Sequence, residues 1–321
     1  MSPYWFILLM GFTASHGVTA SHGVSTGQEI PATVSAISWA PYMVAYWTLD
    51  EGSTTARANT AGTGTCGGTQ SNCNLSRNGT PTNNTTNFRQ GTGSNTFDGT
   101  TDYLYCSNAT CTALDIKTSG NLGTGNISFG CWATENEGAS SGEIGDIIGK
   151  HDGTYGYVLW LDFGTSLVAY STAKCQVDGY TTWLPSYTTL LNVQRATNMH
   201  HYICTFDDLN HTQAIYVDGT VNKDLGNPGY PTLTPLLTSN TADFKIGSGG
   251  VKGDFYGYAD ECFVYKGVMS QRDACRICSC GVDGSLCTCS ADNNWASRGR
   301  WDSNCGNCTL PTSCLTPPGV D

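Results

Sequence analysis

The chain has 321 residues, and its 26 acidic and 15 basic residues give a formal net charge of −11. A nucleic-acid-binding surface needs the opposite sign, so nucleic acid is not expected as a partner. No apolar stretch is long enough to span a bilayer, and the sixteen cysteines predict an exported, disulfide-linked protein.

The first 39 residues are predicted to be a leader and a linker. Residues 4–12 form a short apolar run, and Val18-Thr19-Ala20 fits a cleavage site, which together predict a signal peptide over residues 1–20. No Lys or Arg occurs before Arg57, so the charged start of a signal peptide is missing. A retained N-terminal peg, as in a virion or filament subunit, is therefore the competing interpretation.

Residues 40–270 show the two-residue alternation of half-buried strands. Asp218-Gly219, directly after one alternating run, predicts a tight hairpin. The pattern predicts an all-β fold of two packed antiparallel sheets, with His201, Ile203 and Thr205 pointing away from the core. The residues predicted to lie between the sheets are Ile127, Phe129, Cys131, Cys204, Cys262 and Val264.

Residues 271–321 form a cysteine-rich tail with few apolar residues. A helical turn anchored at Ser270 is predicted over 269–276, where the tail begins. The eight tail cysteines suit either four disulfides or two four-thiolate zinc sites. We favour a small disulfide-rich tail, because the rest of the chain also has eight cysteines and a predicted leader. The tail cysteines are Cys275, Cys278, Cys280, Cys287, Cys289, Cys305, Cys308 and Cys314.

The other cysteines lie within the predicted sandwich. Two pairs are close enough in sequence to close small loops: Cys66 with Cys73, and Cys106 with Cys111. The three with core parity, Cys131, Cys204 and Cys262, either stay reduced or cross-link strands. Cys175 has no evident partner.

Five segments, in a fixed order, resemble a laminin-G-like domain, a jelly roll of the concanavalin A type found in bacterial and viral proteins. They are VAYWTLDEG (44–52), SNTFDGTTDYL (94–104), NISFGCWATEN (126–136), HHYICTFDD with AIYVDGTV (200–208 and 214–221), and FKIGSG with FYGYADECFVYKG (244–249 and 255–267). The resemblance implies a jelly-roll sandwich over residues 40–270 that serves mainly for binding. Met199 departs from the pattern, since the family usually has Trp before the His pair.

Four aspartates sit at predicted loop–strand junctions, and the resemblance implies that the first and last strands lie side by side. Clustered carboxylates suit Ca²⁺, which takes six to eight oxygen ligands. The sequence therefore allows a structural calcium ion, although each aspartate could equally cap its own turn. The candidate ligands are Asp50, Asp98, Asp102 and Asp260.

Aromatic residues concentrate in the middle third of the chain. Exposed rings can stack on a pyranose face, while nearby polar groups bind its hydroxyls. The alternative is that most of them are core or edge residues. The candidate glycan-binding residues are Trp132, Trp160, Trp183, Tyr155, Tyr157 and Tyr180.

The sequence contains no strong catalytic motif. His200 and His201 are adjacent in a strand, so they point to opposite faces and cannot share an ion; ordinary hydrogen bonds are expected for both. Glu143 and Asp146 have the wrong spacing for the paired carboxylates of a retaining glycosidase.

We therefore predict a non-enzymatic, secreted binding or adhesion protein that recognises carbohydrate or another component of a cell surface or matrix. The carbohydrate assignment depends partly on the resemblance in fold. The alternative is a structural or interaction subunit on the surface of a virion, tail fibre or filament. The sequence leaves open whether the protein forms a homo-oligomer or has an assembly partner.

Overall fold

A computed structural model describes residues 43–52, 56–60, 73–115, 125–135, 144–163, 170–178, 193–194, 199–208, 212–224, 240–250 and 253–280. The predicted signal peptide and the tail beyond residue 280 lie outside the described residues. No helix in these ranges is long and apolar enough to cross a membrane.

Nearly all the regular structure is β. The strands are β1 (Met43–Trp47), β2 (Ser76–Asn78), β3 (Thr82–Asn84), β4 (Ser94–Asp98), β5 (Tyr103–Cys106), β6 (Ile127–Glu135), β7 (Ile144–His151), β8 (Gly156–Phe163), β9 (Tyr170–Asp178), β10 (Val193–Gln194), β11 (His200–Asp207), β12 (Thr212–Val217), β13 (Thr220–Asp224), β14 (Phe244–Ile246) and β15 (Tyr256–Lys266). A short 3₁₀ helix spans Thr112–Leu114, and α1 spans Gln271–Cys280.

The strands form two antiparallel sheets. The larger sheet has the order β13-β12-β11-β6-β15-β4-β3, with β1 also paired to β15. The smaller sheet has the order β10-β9-β8-β7-β14-β5-β2. The first strand thus lies beside the last, as the resemblance implied, and the chain forms the predicted two-sheet sandwich.

The main hydrophobic core fills the space between the sheets. All six residues predicted to lie there are buried in it, which confirms the register predicted from alternation: Ile127, Phe129, Cys131, Cys204, Cys262 and Val264. Across the core, Trp47 of β1 stacks on Phe244 of β14 with ring centroids 4.9 Å apart. Burying one large apolar side chain contributes roughly 1.5–3 kcal/mol, so contacts of this kind hold the sheets together.

The outer face of the larger sheet is also buried, which the sequence did not predict. His201, Ile203 and Thr205 point away from the core, yet none is more than 2% exposed. α1 covers part of this face, since its Ala274 and Ile277 pack with Ile203 in a second apolar cluster. The part of this face beneath α1 is therefore not free to bind a ligand.

α1 begins with a capping box. Ser270 Oγ accepts the N–H of Asp273 at 3.2 Å, and the Asp273 carboxylate accepts the N–H of Ser270 at 2.9 Å. The two bonds satisfy backbone donors that a helix start leaves without partners. The helical turn predicted at Ser270 is thus the start of a longer helix. α1 packs on the sandwich even though its residues fall in the predicted tail.

The predicted hairpin joins β12 to β13. Asp218 and Gly219 both adopt positive φ, 51° and 75°, as a tight two-residue turn requires.

β15 contains a bulge opposite β6, between Asp260 and Phe263. Glu261 lies in this bulge with a φ of 50° and is fully buried.

Disulfides link neighbouring strands and also the two sheets. Cys106–Cys111 closes the small loop that the spacing predicts, and Cys131–Cys262 joins β6 to β15. Cys175–Cys204 joins β9 of the smaller sheet to β11 of the larger one, so Cys175 has a partner that its sequence context did not reveal.

The tail pairing stays a prediction. Cys73 and Cys278 each take part in a disulfide, but not with one another. The Cys275 thiol donates to the carbonyl of Gly219 at 3.1 Å. Cys66 and the tail cysteines beyond residue 280 lie outside the described residues.

Candidate functional site

Two tyrosines point outward from the smaller sheet. Along β5, Leu104 and Cys106 are buried in the core, so Tyr103 and Tyr105 point to the opposite face, where both are half-buried. In β14, Phe244 and Ile246 face the core, which turns Lys245 outward beside the tyrosines. We call Tyr103, Tyr105 and Lys245 the Tyr–Lys patch.

The geometry of the Tyr–Lys patch is set by strand pairing. Lys245 lies directly opposite Tyr105 in the β14–β5 ladder. The two phenol rings meet edge to face with centroids 6.0 Å apart, and Lys245 Nζ lies 4.7 Å from the centroid of the Tyr103 ring. On the edge strand β2, the exposed Asn78 and Ser76 are paired with Tyr103 and Tyr105.

The Tyr–Lys patch carries a positive charge, although the protein as a whole is acidic. In the part of the chain that the structure describes, Lys245 forms no ion pair, and its ammonium instead contacts the face of Tyr103. A cation over an aromatic face gains about 0.5–1 kcal/mol at an exposed site. The arrangement offers a ligand two ring surfaces, phenolic hydroxyls and one positive charge.

Four of the six aromatic residues predicted to bind glycan are described. Tyr157 is 1% exposed, lies in the core and donates to the carbonyl of Leu114. Trp132 and Trp160 point away from the core yet are 1% and 3% exposed. Tyr155 is half-buried in the β7–β8 turn. The described rings therefore form no open platform, and Tyr180 and Trp183 lie outside the described residues.

The ring of Trp132 is covered by two side chains, Arg89 and His201. The guanidinium of Arg89 lies 4.3 Å from its ring centroid, and His201 stacks on it with centroids 5.0 Å apart. Arg89 also donates to the carbonyl of Cys278 in α1, which fixes it in place. The strand alternation correctly predicted that Trp132 points away from the core. On that side, however, α1 and the Arg89 side chain cover it.

His201 is buried among aromatic rings. Besides stacking on Trp132, it lies 6.2 Å from Phe263, and neither ring nitrogen has a hydrogen-bond partner among the described residues. The expectation of ordinary hydrogen bonds was wrong for this side chain. Burial, with a smaller contribution from Arg89, lowers the pKa of His201 from 6.5 to about 3. His200 behaves as expected and pairs with Asp218 at 2.7 Å.

Asp50 and Asp260 both accept hydrogen bonds from the backbone of the loop between β3 and β4. Asp260 Oδ2 accepts the N–H groups of Arg89 and Gln90, and Asp50 Oδ1 accepts those of Thr92 and Gly93. Burial and the nearby Asp50 raise the pKa of Asp260 well above its ordinary value, although these N–H donors oppose the shift. Both carboxylates thus accept backbone N–H groups from the same loop.

Asp98 and Asp102 organise the turn between β4 and β5. Asp98 Oδ1 accepts the N–H groups of Thr100, Thr101 and Asp102, which outweigh the opposing effect of burial and lower its pKa. Asp102 accepts the N–H of Thr80 at 2.6 Å. Burial raises the pKa of Asp102.

Across the described ranges, no group of three or more His, Cys, Asp and Glu side chains has an arrangement that could hold a metal ion. The calcium ion therefore stays a prediction that requires a direct test.

No protein-family model matches the sequence, and no curated protein matches it either. Solved structures do match. Domain 4 of AbnA, an extracellular arabinanase from Geobacillus stearothermophilus solved with arabinotriose, is 15% identical. The match covers 73% of this chain and 96% of that chain, with a TM-score of 0.45.

Two other solved structures are similar over shorter parts of their own length. Trypanosoma rangeli sialidase in complex with sialic acid is 12% identical, with 73% of this chain and 32% of that chain covered and a TM-score of 0.44. The binding domain of botulinum neurotoxin DC, in complex with rat synaptotagmin II, is 10% identical, with 73% and 51% covered and a TM-score of 0.47. This chain thus spans about a third of the sialidase and about half of the neurotoxin chain.

Proposed function

We propose that the protein is a non-enzymatic carbohydrate-binding protein of the cell exterior, and that its ligand binds at the Tyr–Lys patch. The observation that carries this proposal is the combination, on one sheet face, of two half-buried phenol rings and an ammonium that pairs with no described carboxylate. A sugar ring presents C–H groups to aromatic faces and hydroxyls to polar groups, which this combination matches. β5 and β14 position all three side chains on paired strands, so binding needs little ordering.

Two further expectations belong to this proposal. The disulfides support an extracellular location, since such bonds persist in oxidising compartments. The laminin-G-like grouping is supported by the Asp218-Gly219 hairpin and by the side-by-side first and last strands. We propose no catalysis at the Tyr–Lys patch, because most glycosidases use a pair of carboxyl groups and the patch itself consists of two tyrosines and a lysine.

The first experiment screens the full chain, with its disulfides intact, on a glycan array. Binding to a defined set of glycans is the expected result. No binding to any glycan would contradict the proposal and favour the structural-subunit alternative.

The second experiment locates the site by calorimetry with the strongest glycan. Tyr103→Ala and Tyr105→Ala should each weaken binding about tenfold, the equivalent of about 1.4 kcal/mol for a lost stacking surface. Lys245→Gln should weaken binding and remove its dependence on salt. The matched controls are Tyr256→Ala and Lys266→Gln, which replace half-buried residues of the larger sheet. Unchanged affinity in all three patch variants, with wild-type binding intact, would place the site elsewhere.

A further inference from the structure

Lys150, near the end of β7, is a buried lysine with an unusual set of neighbours. Its side chain is 1% exposed, and Nζ lies 2.9 Å from Oδ1 of Asn108 and 2.9 Å from Oδ1 of Asn240. The carbonyl oxygens of Asn240 and Ala242 lie at 3.2 and 2.7 Å, and Asp115 Oδ1 lies at 2.8 Å. A primary amine, side-chain amides and a carboxylate thus meet away from water.

The Asn240 amide is held in a fixed orientation. It is 7% exposed, and its Nδ2 donates to the carbonyls of Lys150 and Tyr155 at 3.1 and 3.0 Å. Its Oδ1 accepts the backbone N–H of Ala242 at 3.1 Å as well as the lysine. The Ala242 N–H remains on Oδ1 when the lysine nitrogen attacks, so it can stabilise negative charge that develops on this oxygen. Asn108 is less buried, so its amide is less protected from water.

We propose that Lys150 and Asn240 form an intramolecular isopeptide bond, with Asp115 as the proton-transfer group. This covalent cross-link is independent of the proposed glycan binding.

The proposed reaction has a balanced set of steps. Asp115 takes one proton from the Lys150 ammonium, which leaves a neutral amine as the nucleophile. Nζ then attacks Cγ of Asn240, the Nζ–Cγ bond forms, and the electron pair of the carbonyl moves to Oδ1. When the carbonyl re-forms, the Cγ–Nδ2 bond breaks. The departing nitrogen takes up the proton lost by Nζ and the one held by Asp115, leaves as ammonium, and returns Asp115 to its carboxylate form. No atom is oxidised or reduced.

Burial favours the first step. Desolvation lowers the pKa of Lys150, although the nearby Asp115 opposes this shift. Moving a proton from the ammonium to the carboxylate replaces two buried charges by two neutral groups, which removes the desolvation cost of the ion pair. Holding an amine against an amide also replaces a bimolecular encounter by an intramolecular one, which can lower a barrier by several kcal/mol.

The bond would strengthen a junction within the smaller sheet. Lys150 lies in β7, and Asn240 lies four residues before β14, the strand that pairs with β7. A covalent link at this point would keep the two segments together when the sheet is pulled or heated.

Intact mass spectrometry of the reduced and alkylated full chain tests the proposal. The expected mass is lower, by one ammonia, than the mass calculated for the reduced and alkylated sequence. Trypsin should fail to cleave after Lys150 and should release residues 118–174 joined to residues 224–245, the peptide that contains Asn240. A mass equal to that of the unmodified sequence would overturn the proposal, because the amine and amide would then form only hydrogen bonds. A link to Asn108 would overturn the choice of Asn240.

Two variants separate chemistry from folding. Asp115→Asn keeps the shape of the side chain but removes the proton acceptor, and it should retain the ammonia. Lys150→Arg keeps the positive charge and cannot form the amide bond. If either variant fails to fold, the wild-type mass and peptide map still decide the question. Ammonia loss that persists in Asp115→Asn would exclude Asp115 as the proton-transfer group.

Discussion

His201 should make the folded protein sensitive to mild acid. In the folded state its pKa is about 3, mainly because burial disfavours the charged ring. The unfolded chain should show the ordinary value of 6.5. Between these two values the unfolded state binds a proton that the folded state does not, so stability falls as the pH falls from 6.5 towards 3. His201→Phe should remove this contribution and retain a ring stacked on Trp132.

The size of the effect follows from the two pKa values. Each pKa unit corresponds to about 1.4 kcal/mol, so this one histidine should cost about 2 kcal/mol between pH 7 and pH 5. The loss should reach about 4 kcal/mol at pH 3, where the folded histidine is half-protonated, and about 5 kcal/mol only at lower pH. Asp260 contributes with the opposite sign, since its raised pKa lets the folded state bind a proton more readily as the pH falls. Asp260 is present in both proteins, so its contribution cancels in the comparison.

Urea unfolding at pH 7, 6 and 5 measures the prediction. The wild-type protein should lose about 2 kcal/mol more than His201→Phe over this range, whatever the stability of the variant at pH 7. The control is Ile203→Val, a buried position on the same strand face that does not titrate. This control should lower stability by about 1 kcal/mol at every pH. Equal pH slopes for the wild type and His201→Phe would refute the reasoning.

Three other predictions concern stability. Ser270→Ala removes the capping box of α1 and should lower the free energy of unfolding by about 1 kcal/mol; no change in a urea titration would show that the cap contributes nothing. If Asp50 or Asp260 ligates calcium, excess chelator should lower the melting temperature, and an unchanged melting curve would remove the calcium prediction. Replacing both Cys131 and Cys262 by Ala should cost at most about 5 kcal/mol, because this disulfide closes a loop of 131 residues. A smaller cost is expected where other disulfides already restrict the unfolded chain, and an equal or higher urea midpoint would contradict the prediction.

The sequence predicted the sheets well because strand alternation is a local property. Phe129, Cys204 and Val264 each belong to runs in which every second residue is apolar, and all three are in the core. Asp218-Gly219 formed the predicted hairpin because few other residue pairs adopt positive φ twice in succession at low cost.

The features that the sequence did not predict depend on contacts between segments that are far apart in the chain. Nothing local to Cys175 identifies Cys204 as its partner, since the two meet only after the sheets pack. Trp132 was expected at the surface because α1 was assigned to the tail and its packing was not foreseen. The alternation of Tyr103 and Tyr105 with Leu104 was visible in the sequence, but Lys245 joins them only through the pairing of β14 with β5.

α1 packs on the outer face of the larger sheet, which we call the back of the sandwich. The outer face of the smaller sheet, with the Tyr–Lys patch, is the front. Met43, where the described sandwich begins, packs in the same outer cluster as Ile277 of α1. The chain therefore enters and leaves the sandwich on the back, behind the larger sheet, whereas Tyr103 and Tyr105 occupy the front of the smaller sheet. The two described ends, Met43 and α1, therefore lie on the opposite side of the sandwich from the Tyr–Lys patch.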